Sequence, residues 1–481
     1  MISKHLPSLT LAPRTAATRA LSVPTLAIAA VSLFGTTAST IAQAWTATSV
    51  GPLTPIQPRP ISVLMNGTTA GSDFGQSVSR LGDLTGDNRA EVLLGAPTDV
   101  GLFANQFPGR VHVRAGRTGA AVTLPFPFNL IGTANGDQFG WSVAGLPDID
   151  ADGLPDMIAG APQGSTAAPS PGYARVISGG SGLMIALPPQ LPLGFPTVQV
   201  GGFGYDVADA GDVNGDNVND YIVGAPFTTV NGVQHAGLAQ VYSGATGANL
   251  VWQGSGGTMP GLVTTQSLSY FGISVGSAGD WNGDGFDDVV VGAYNPNGFG
   301  FANVVSGAWI TSQTGPQVLA FLQGNSMGDG FGISCHAAGD VNGDGLGDVI
   351  VGTYFGNYCE VFAGSATVAF DPAPLYSISV PTAPAFGYAV SGGLDATGDG
   401  VPDFIAGVAG LASGTVHRVN LYSGATGAFV RQFPGQAAGY FGIAIDLSFD
   451  VTSNSRAEVL VGEPLGLVGG VVTGRAHNFI N

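Results

Sequence analysis

Seven times along the chain, oxygen-bearing side chains fall at positions 1, 3, 5 and 9 of a nonapeptide. The fifth copy shows the pattern in full, with Asp340, Asn342, Asp344 and Asp348. The second uses Asp148, Asp150, Asp152 and Asp156; the third Asp212, Asn214, Asp216 and Asp220; the fourth Asp280, Asn282, Asp284 and Asp288. The sixth uses Asp395, Thr397, Asp399 and Asp403. The first is weaker, with Asp83, Thr85, Asp87 and Glu91, and the seventh is degraded to Asp450, Thr452, Asn454 and Glu458. Hard oxygen donors at this spacing suit Ca2+, which takes six to eight of them at about 2.3–2.6 Å. A backbone carbonyl at position 7 would add to the set. Without a cation the carboxylates repel, by about 4 kcal/mol for two unit charges 4 Å apart at an effective dielectric of ~20. The expected cofactor is therefore Ca2+, in five to seven sites. An EF-hand loop needs an acid at position 12. Here that position is Leu94, Ala159, Val223, Val291, Val351, Ala406 and Val461, so each loop runs straight into an apolar segment. A metal-free acidic turn would explain one such loop; five strong copies favour the ion.

Each nonapeptide sits inside one larger frame that opens on Phe-Gly, at Phe74, Phe139, Phe203, Phe271, Phe331, Phe386 and Phe441. The spacings of 65, 64, 68, 60, 55 and 55 residues mark a repeat architecture. Every unit supplies four short extended segments, rich in β-branched residues and bounded by Gly, Pro, Asn and Asp. Four strands repeated seven times predict an all-β, seven-bladed β-propeller. The last unit stops after its third segment, while Ile61–Met65 supplies a strand ahead of the first Phe-Gly. That N-terminal strand is expected to complete the last blade and close the ring, since closure removes two free sheet edges. The propeller is assigned to residues 61–481, with 45–60 as a Pro-rich linker. Phe and Gly of the frame read as packing residues between blades. Cys335 and Cys359 fall on the first and third strands of one blade, about 9–10 Å apart by strand spacing, which is too far for a disulfide.

Residues 1–44 read as a cleaved signal peptide: Lys4, Arg14 and Arg19, an apolar stretch from Leu21 to Phe34, then Ala42-Gln43-Ala44. The expected location is periplasmic, cell-surface or secreted, with no membrane span after cleavage. The remaining chain would hold 11 basic and 32 acidic residues and no lysine. A net charge of −21 makes nucleic acid a poor partner and excludes Schiff-base chemistry. Of the 32 acids, 21 belong to the seven loops, so the charge is largely a metal-binding charge.

The Phe-Gly, acidic loop and Gly-Ala-Pro sequence, the last at Gly95-Ala96-Pro97, Gly160-Ala161-Pro162 and Gly224-Ala225-Pro226, resembles the FG-GAP repeat of the integrin alpha-subunit head. The resemblance covers residues 61–481. It implies a seven-bladed propeller with calcium between first and second strands on one face and ligands on the other. A non-catalytic binding or adhesion module is the function it implies. Loops between second and third strands carry Phe103, Phe107, Phe227, Tyr294, Phe299, Tyr354, Phe355 and Tyr358. Phe227, Tyr294, Tyr354, Phe355 and Tyr358 are the candidate contacts for a protein or glycan. The competing readings are a propeller hydrolase of glycans or phosphodiesters and a purely structural surface protein. Against catalysis, His112, His235, His336, His417 and His477 are scattered, and no G-x-S-x-G or H-E-x-x-H motif occurs. Asp206, Asp209 and Asp446 read as surface or turn acids.

Overall fold

The computed structural model describes residues 63–99, 107–125, 127–163, 171–186, 198–250, 262–264, 266–312, 317–408, 417–435, 439–449 and 456–479. The proposed leader and linker, Phe103, and the seventh-loop residues Asp450, Thr452 and Asn454 lie outside them. The described chain is all-β, with one α-helix of six residues, Gly307–Ser312. Seven sheets form a ring, antiparallel but for one added edge strand in the fourth; from the channel outward the strand order follows the chain, save that the N-terminal strand is outermost in the seventh. Blade 6 is representative: Phe386–Leu394, Asp403–Val408, Arg418–Tyr422 and Phe429–Pro434.

Burial explains the segment types. The second strand of a blade has neighbours on both sides and sheets over both faces. In six blades it is a six-residue segment buried at every position, such as Asp348–Thr353 and Asp403–Val408. Its near-continuous apolar run is what a strand covered on both faces requires. The polar residue at its head is the last acid of the acidic loop, so the loop is anchored in the blade core.

The ring closes as the sequence predicts. Val63–Asn66 pairs antiparallel with Arg475–Phe479, Val63 opposite Asn478 and Asn66 opposite Arg475. That sheet continues through Glu458–Glu463 to Ile445–Phe449. The inner strand of blade 7 also lies against that of blade 1, Ser77–Leu81.

The Phe-Gly and Gly-Ala-Pro elements meet from blade to blade. All seven frame Phe residues are at most 2% exposed. Phe139, Phe203, Phe271 and Phe331 bridge to Gly109, Gly172, Gly237 and Gly300 at the start of the preceding blade's third strand. The glycine ending each second strand lies on the Phe-Gly carbonyl of the next blade, Gly160 on Gly204 and, across the seam, Gly462 on Gly75. A Cβ at either glycine would collide with backbone oxygen. These glycines are contact residues that let two backbones touch.

Two blades depart from the four-strand rule. Blade 1 has three strands, and its fourth position is held only by the bridges Arg114–Ala121 and Arg110–Ile131. Pro125 and the 3-10 helix Pro127–Leu130 interrupt that segment, because proline cannot donate to a ladder. Blade 4 gains a fifth strand, Ala369–Phe370, running parallel to Val318–Gln323. Cys335 and Cys359 are buried free thiols. Burial pushes the Cys335 thiol up to about 12, so it stays protonated.

Candidate metal centres and the opposite rim

Each described acidic loop is wound by its own side chains. In the fifth, Asp340 Oδ1 accepts the N–H groups of Gly343 and Asp344 at 2.6 and 3.1 Å, and Oδ2 accepts that of Gly345 at 2.9 Å. Asn342 Oδ1 accepts from Asp344 N at 2.8 Å, and Asp344 Oδ1 accepts from Leu346 N at 2.9 Å. Positions 1, 3 and 5 thereby fix the turn of the loop through its own backbone N–H groups. The same first-position bonds recur at Asp148, Asp212, Asp280 and Asp395.

The ninth position does a second job. Asp348 Oδ2 accepts Val341 N at 2.8 Å inside the loop, while Oδ1 accepts Gly364 N at 2.8 Å, just beyond the third strand. Asp156, Asp220, Asp288 and Asp403 repeat this with Gly179, Gly244, Gly307 and Gly424. One carboxylate thus ties the acidic loop to the outer half of its blade. In blade 1, Glu91 keeps the loop bonds, to Leu84 N and the Thr85 hydroxyl, at 2.7 and 3.1 Å.

Burial charges these acids with strain. Asp156 and Asp348 are pushed up to about 6, and Asp220 and Asp288 to about 7. Desolvation is the main cause, opposed by backbone N–H donors and reinforced by neighbouring loop carboxylates. Glu91 and Asp403 are raised for the same leading reason. At Asp395 desolvation also acts upward, but donors from Gly400, Gly398, Asp399 and Thr397 outweigh it and hold the carboxyl low. An acid whose charged form is disfavoured by burial beside other acids gains most from a cation.

Carboxylate oxygens of Asp83, Asp87 and Glu91 lie within 4.8 Å of one another, as do those of Asp148, Asp150 and Asp156. The donor set is all oxygen and fits Ca2+ better than a softer metal. Loops three to six place Asn214, Asn282, Asn342 and Thr397 where loop two has Asp150, so a neutral oxygen replaces one charge. Loop one, weaker by sequence, gathers its acids as closely as loop two. Glu458 is buried at the head of its strand, and the rest of loop seven lies outside the described residues.

At the other end of the strands the aromatic candidates converge. Tyr294 and Tyr354 are half-buried and 5.6 Å apart between ring centroids. Phe355 lies 4.1 Å from Tyr354 and is 59% exposed, and Phe227 is also exposed. Tyr358 is a correction: it is 7% exposed, its hydroxyl donates to Asp329 at 2.5 Å, and it accepts from Asn325 N at 2.8 Å. Packed against Phe331, it offers no surface to a ligand. Sequence reasoning missed Trp141, Tyr205, Tyr388, Tyr270 and Tyr440, which also belong to this rim. The signal was available, since the first three directly follow Phe-Gly and the last two directly precede the frame Phe.

Asp206 is likewise not a surface acid. It stands on the channel wall where other copies have Ser77, Ser142, Ser274 and Ser334. Those serines stitch neighbouring inner strands: Val207 N donates to Ser142, Cys335 N to Ser274 and Val390 N to Ser334. Asp206 takes the same role toward Val275 N at 2.9 Å and accepts the Ser142 hydroxyl at 2.8 Å. Burial pushes it up to about 6. Asp209 and Asp446 line the same channel.

Residues 139–177, which span the second acidic loop, match the family described as FG-GAP repeat. The chain is 29% identical over 233 residues to integrin alpha-5 of Xenopus laevis, covering 46% of this chain and 20% of that protein. It is 28% identical over 247 residues to integrin alpha-PS2 of Drosophila melanogaster, covering 48% and 16%. Against integrin alpha-IIb of Homo sapiens it is 30% identical over 233 residues, covering 45% and 21%. The matches thus span about a fifth of the length of these relatives.

Proposed function

We propose that this integrin-alpha-like FG-GAP repeat protein is an exported, calcium-stabilised binding module of the adhesion type, without catalytic activity of its own. The observation that carries the reading is the division of the ring into two rims. One holds six described acidic loops of a single design, five of them locked to their blades through the ninth-position carboxylate. The other exposes Phe227 and Phe355 beside half-buried tyrosines. Calcium, when bound, would supply charge neutralisation to the acids at positions 1, 5 and 9, and in the second loop to Asp150 at position 3. Their contribution is to hold each loop against its second and third strands, so that the opposite rim is presented on a rigid frame. Protein and glycan ligands both suit an aromatic rim.

Residues 1–44 would direct export and be removed, leaving Trp45 as the first residue. Among the described residues no helix is long and apolar enough to cross a membrane. The test is a calorimetric calcium titration of the chelator-treated chain, with the bound metal counted independently. Several ions per chain are expected, fewer in Asp344→Ala and Asp152→Ala. Binding of less than one ion per chain overturns the reading.

A further inference from the structure

Successive acidic loops touch through positions 7 and 8, which stand outside the oxygen set at 1, 3, 5 and 9. Between the third and fourth loops, Asp287 N donates to the Asp212 carbonyl at 3.1 Å, and Asp212 N donates back to Asp287 Oδ2 at 2.8 Å. Between the fourth and fifth, Gly347 N donates to the Asp280 carbonyl at 3.0 Å. Between the sixth and seventh, Ala457 N donates to the Asp395 carbonyl at 2.9 Å. Each acceptor is the backbone of the preceding loop's first-position acid.

A second contact marks the same three junctions. A Cβ added to Gly215, fourth in the third loop, would lie 2.9 Å from the Phe286 ring. At Gly283 it would lie 3.0 Å from a Leu346 methyl, and at Gly398 2.6 Å from the Arg456 guanidinium. The seventh-position side chain of one loop therefore lies on the fourth-position glycine of the loop before. Both ends of that contact are tied to acids. Phe286 N donates to Asp284 Oδ1 at 3.1 Å, and Gly215 N to Asp212 Oδ1 at 2.7 Å. Leu346 N donates to Asp344 Oδ1 at 2.9 Å, and Gly283 N to Asp280 Oδ1 at 2.7 Å. One relay runs from Asp344 to Asp280, the next from Asp284 to Asp212.

Two junctions lack both contacts. The second and sixth loops carry Pro155 and Pro402 at position 8, and proline has no N–H to give. In the loops before them, Gly86 and Gly343 face open space where a Cβ would stand. Asn219, at position 8 of the third loop, is bonded to Asp209 of its own blade.

We propose that the acidic loops take up calcium in linked groups: the third, fourth and fifth act together, with breaks at Pro155 and Pro402. Asp287 is the positioning residue at the junction of the third and fourth. Once the fifth-position acid and the backbone beyond it are fixed in one loop, the loop before loses less freedom on binding, which is positive coupling. The proposal rests on the calcium reading and adds which loops respond to which.

The test is hydrogen exchange of the full chain across a calcium chloride titration, read by mass for peptides covering each loop. Asp284→Ala disables the fourth loop. It should raise the calcium midpoints of the third and fifth loops about fivefold or more and leave the first, second and sixth unmoved. Asp287→Pro places there the residue that two other copies already carry. In that background the third loop should no longer respond to Asp284→Ala, while the fifth still does. Asp287→Asn keeps both the N–H and an acceptor oxygen and should keep the response; Asp287→Ala replaces the proline variant if that fails to fold. Neighbours that do not shift, that shift in step with every other loop, or that tighten overturn the linkage and leave the module reading standing. Exchange indifferent to calcium in every loop overturns both.

Discussion

Removing calcium at two pH values tests the acidic loops most sharply, because metal and protons compete for the same carboxylates. Folding raises Asp156 and Asp348 from 3.8 to about 6, and Asp220 and Asp288 to about 7. Between pH 4 and 7 the metal-free folded chain therefore binds more protons than the unfolded chain. Its stability must fall as pH rises through that window. Summed over the four acids, the loss from pH 5 to pH 8 is at most about 8 kcal/mol, and about half that once the loops relax. A ring of roughly 420 residues has an unfolding entropy near 0.9 kcal/mol/K, so the melt in EDTA should drop by about 4 °C. Calcium reverses the trend. A site held at 100 times its Kd adds about 2.7 kcal/mol, or about 3 °C, and six such loops add about 18 °C. The calcium increment should be largest at pH 8 and shrink at pH 5, where protons already occupy the ninth-position acids. Scanning calorimetry in EDTA and in saturating calcium at both pH values measures all four melts. A melt in EDTA that is flat or rises with pH refutes the buried-acid argument. A calcium increment equal at both pH values refutes the assignment of those acids as ligands.

Three further outcomes follow from the packing. Gly160→Ala pushes a Cβ into the Gly204 carbonyl and should cost about 3 kcal/mol or more, read as a lower urea midpoint. Phe331→Ala removes a fully buried ring and should cost about 3–5 kcal/mol, whereas Phe355→Ala, at 59% exposure, should leave the melt within about 1 °C. Deleting residues 1–66 strips the strand that pairs with Arg475–Phe479. Hydrogen exchange should then rise first in blade 7, and a synthetic peptide of residues 59–68 should restore protection.

The fold was legible because the repeat states its own geometry seven times. Spacing, the apolar second strands and the stranded N-terminal segment led directly to a closed ring. What sequence could not show was blade 1 losing its fourth strand around Pro125, or blade 4 borrowing Ala369–Phe370. Both are long-range choices made outside the repeated frame. The acidic loops were legible as a repeated pattern but not as anchors. The bond from Gly364 N to Asp348 joins residues 16 apart, and only the fold reveals that the ninth acid holds the third strand. The aromatic rim was half legible. Exposure cannot be read from residue type: Tyr358 is buried, while Trp141, Tyr205 and Tyr388 line the channel.

Those three point to where function is written in a repeat protein. Positions alike in all seven copies, the frame Phe, its Gly and the ninth acid, build the ring. The residue after Phe-Gly differs: Gln76, Trp141, Tyr205, Ile273, Ile333, Tyr388 and Ile443. Three copies carry isoleucine there within the same inner-strand geometry, so the scaffold accepts it. Trp141→Ile and Tyr388→Ile should therefore be tolerated, each moving the melt by no more than about 3 °C, since such rim positions lie outside the tightly packed core. Ligand affinity should fall sharply in the same proteins, because each change removes an aromatic ring from the rim. Melts and calorimetric titrations on the two variants separate these effects. A loss of stability matching that of Phe331→Ala would mean that the aromatic residues are core packing, and that divergence among the copies carries no functional information.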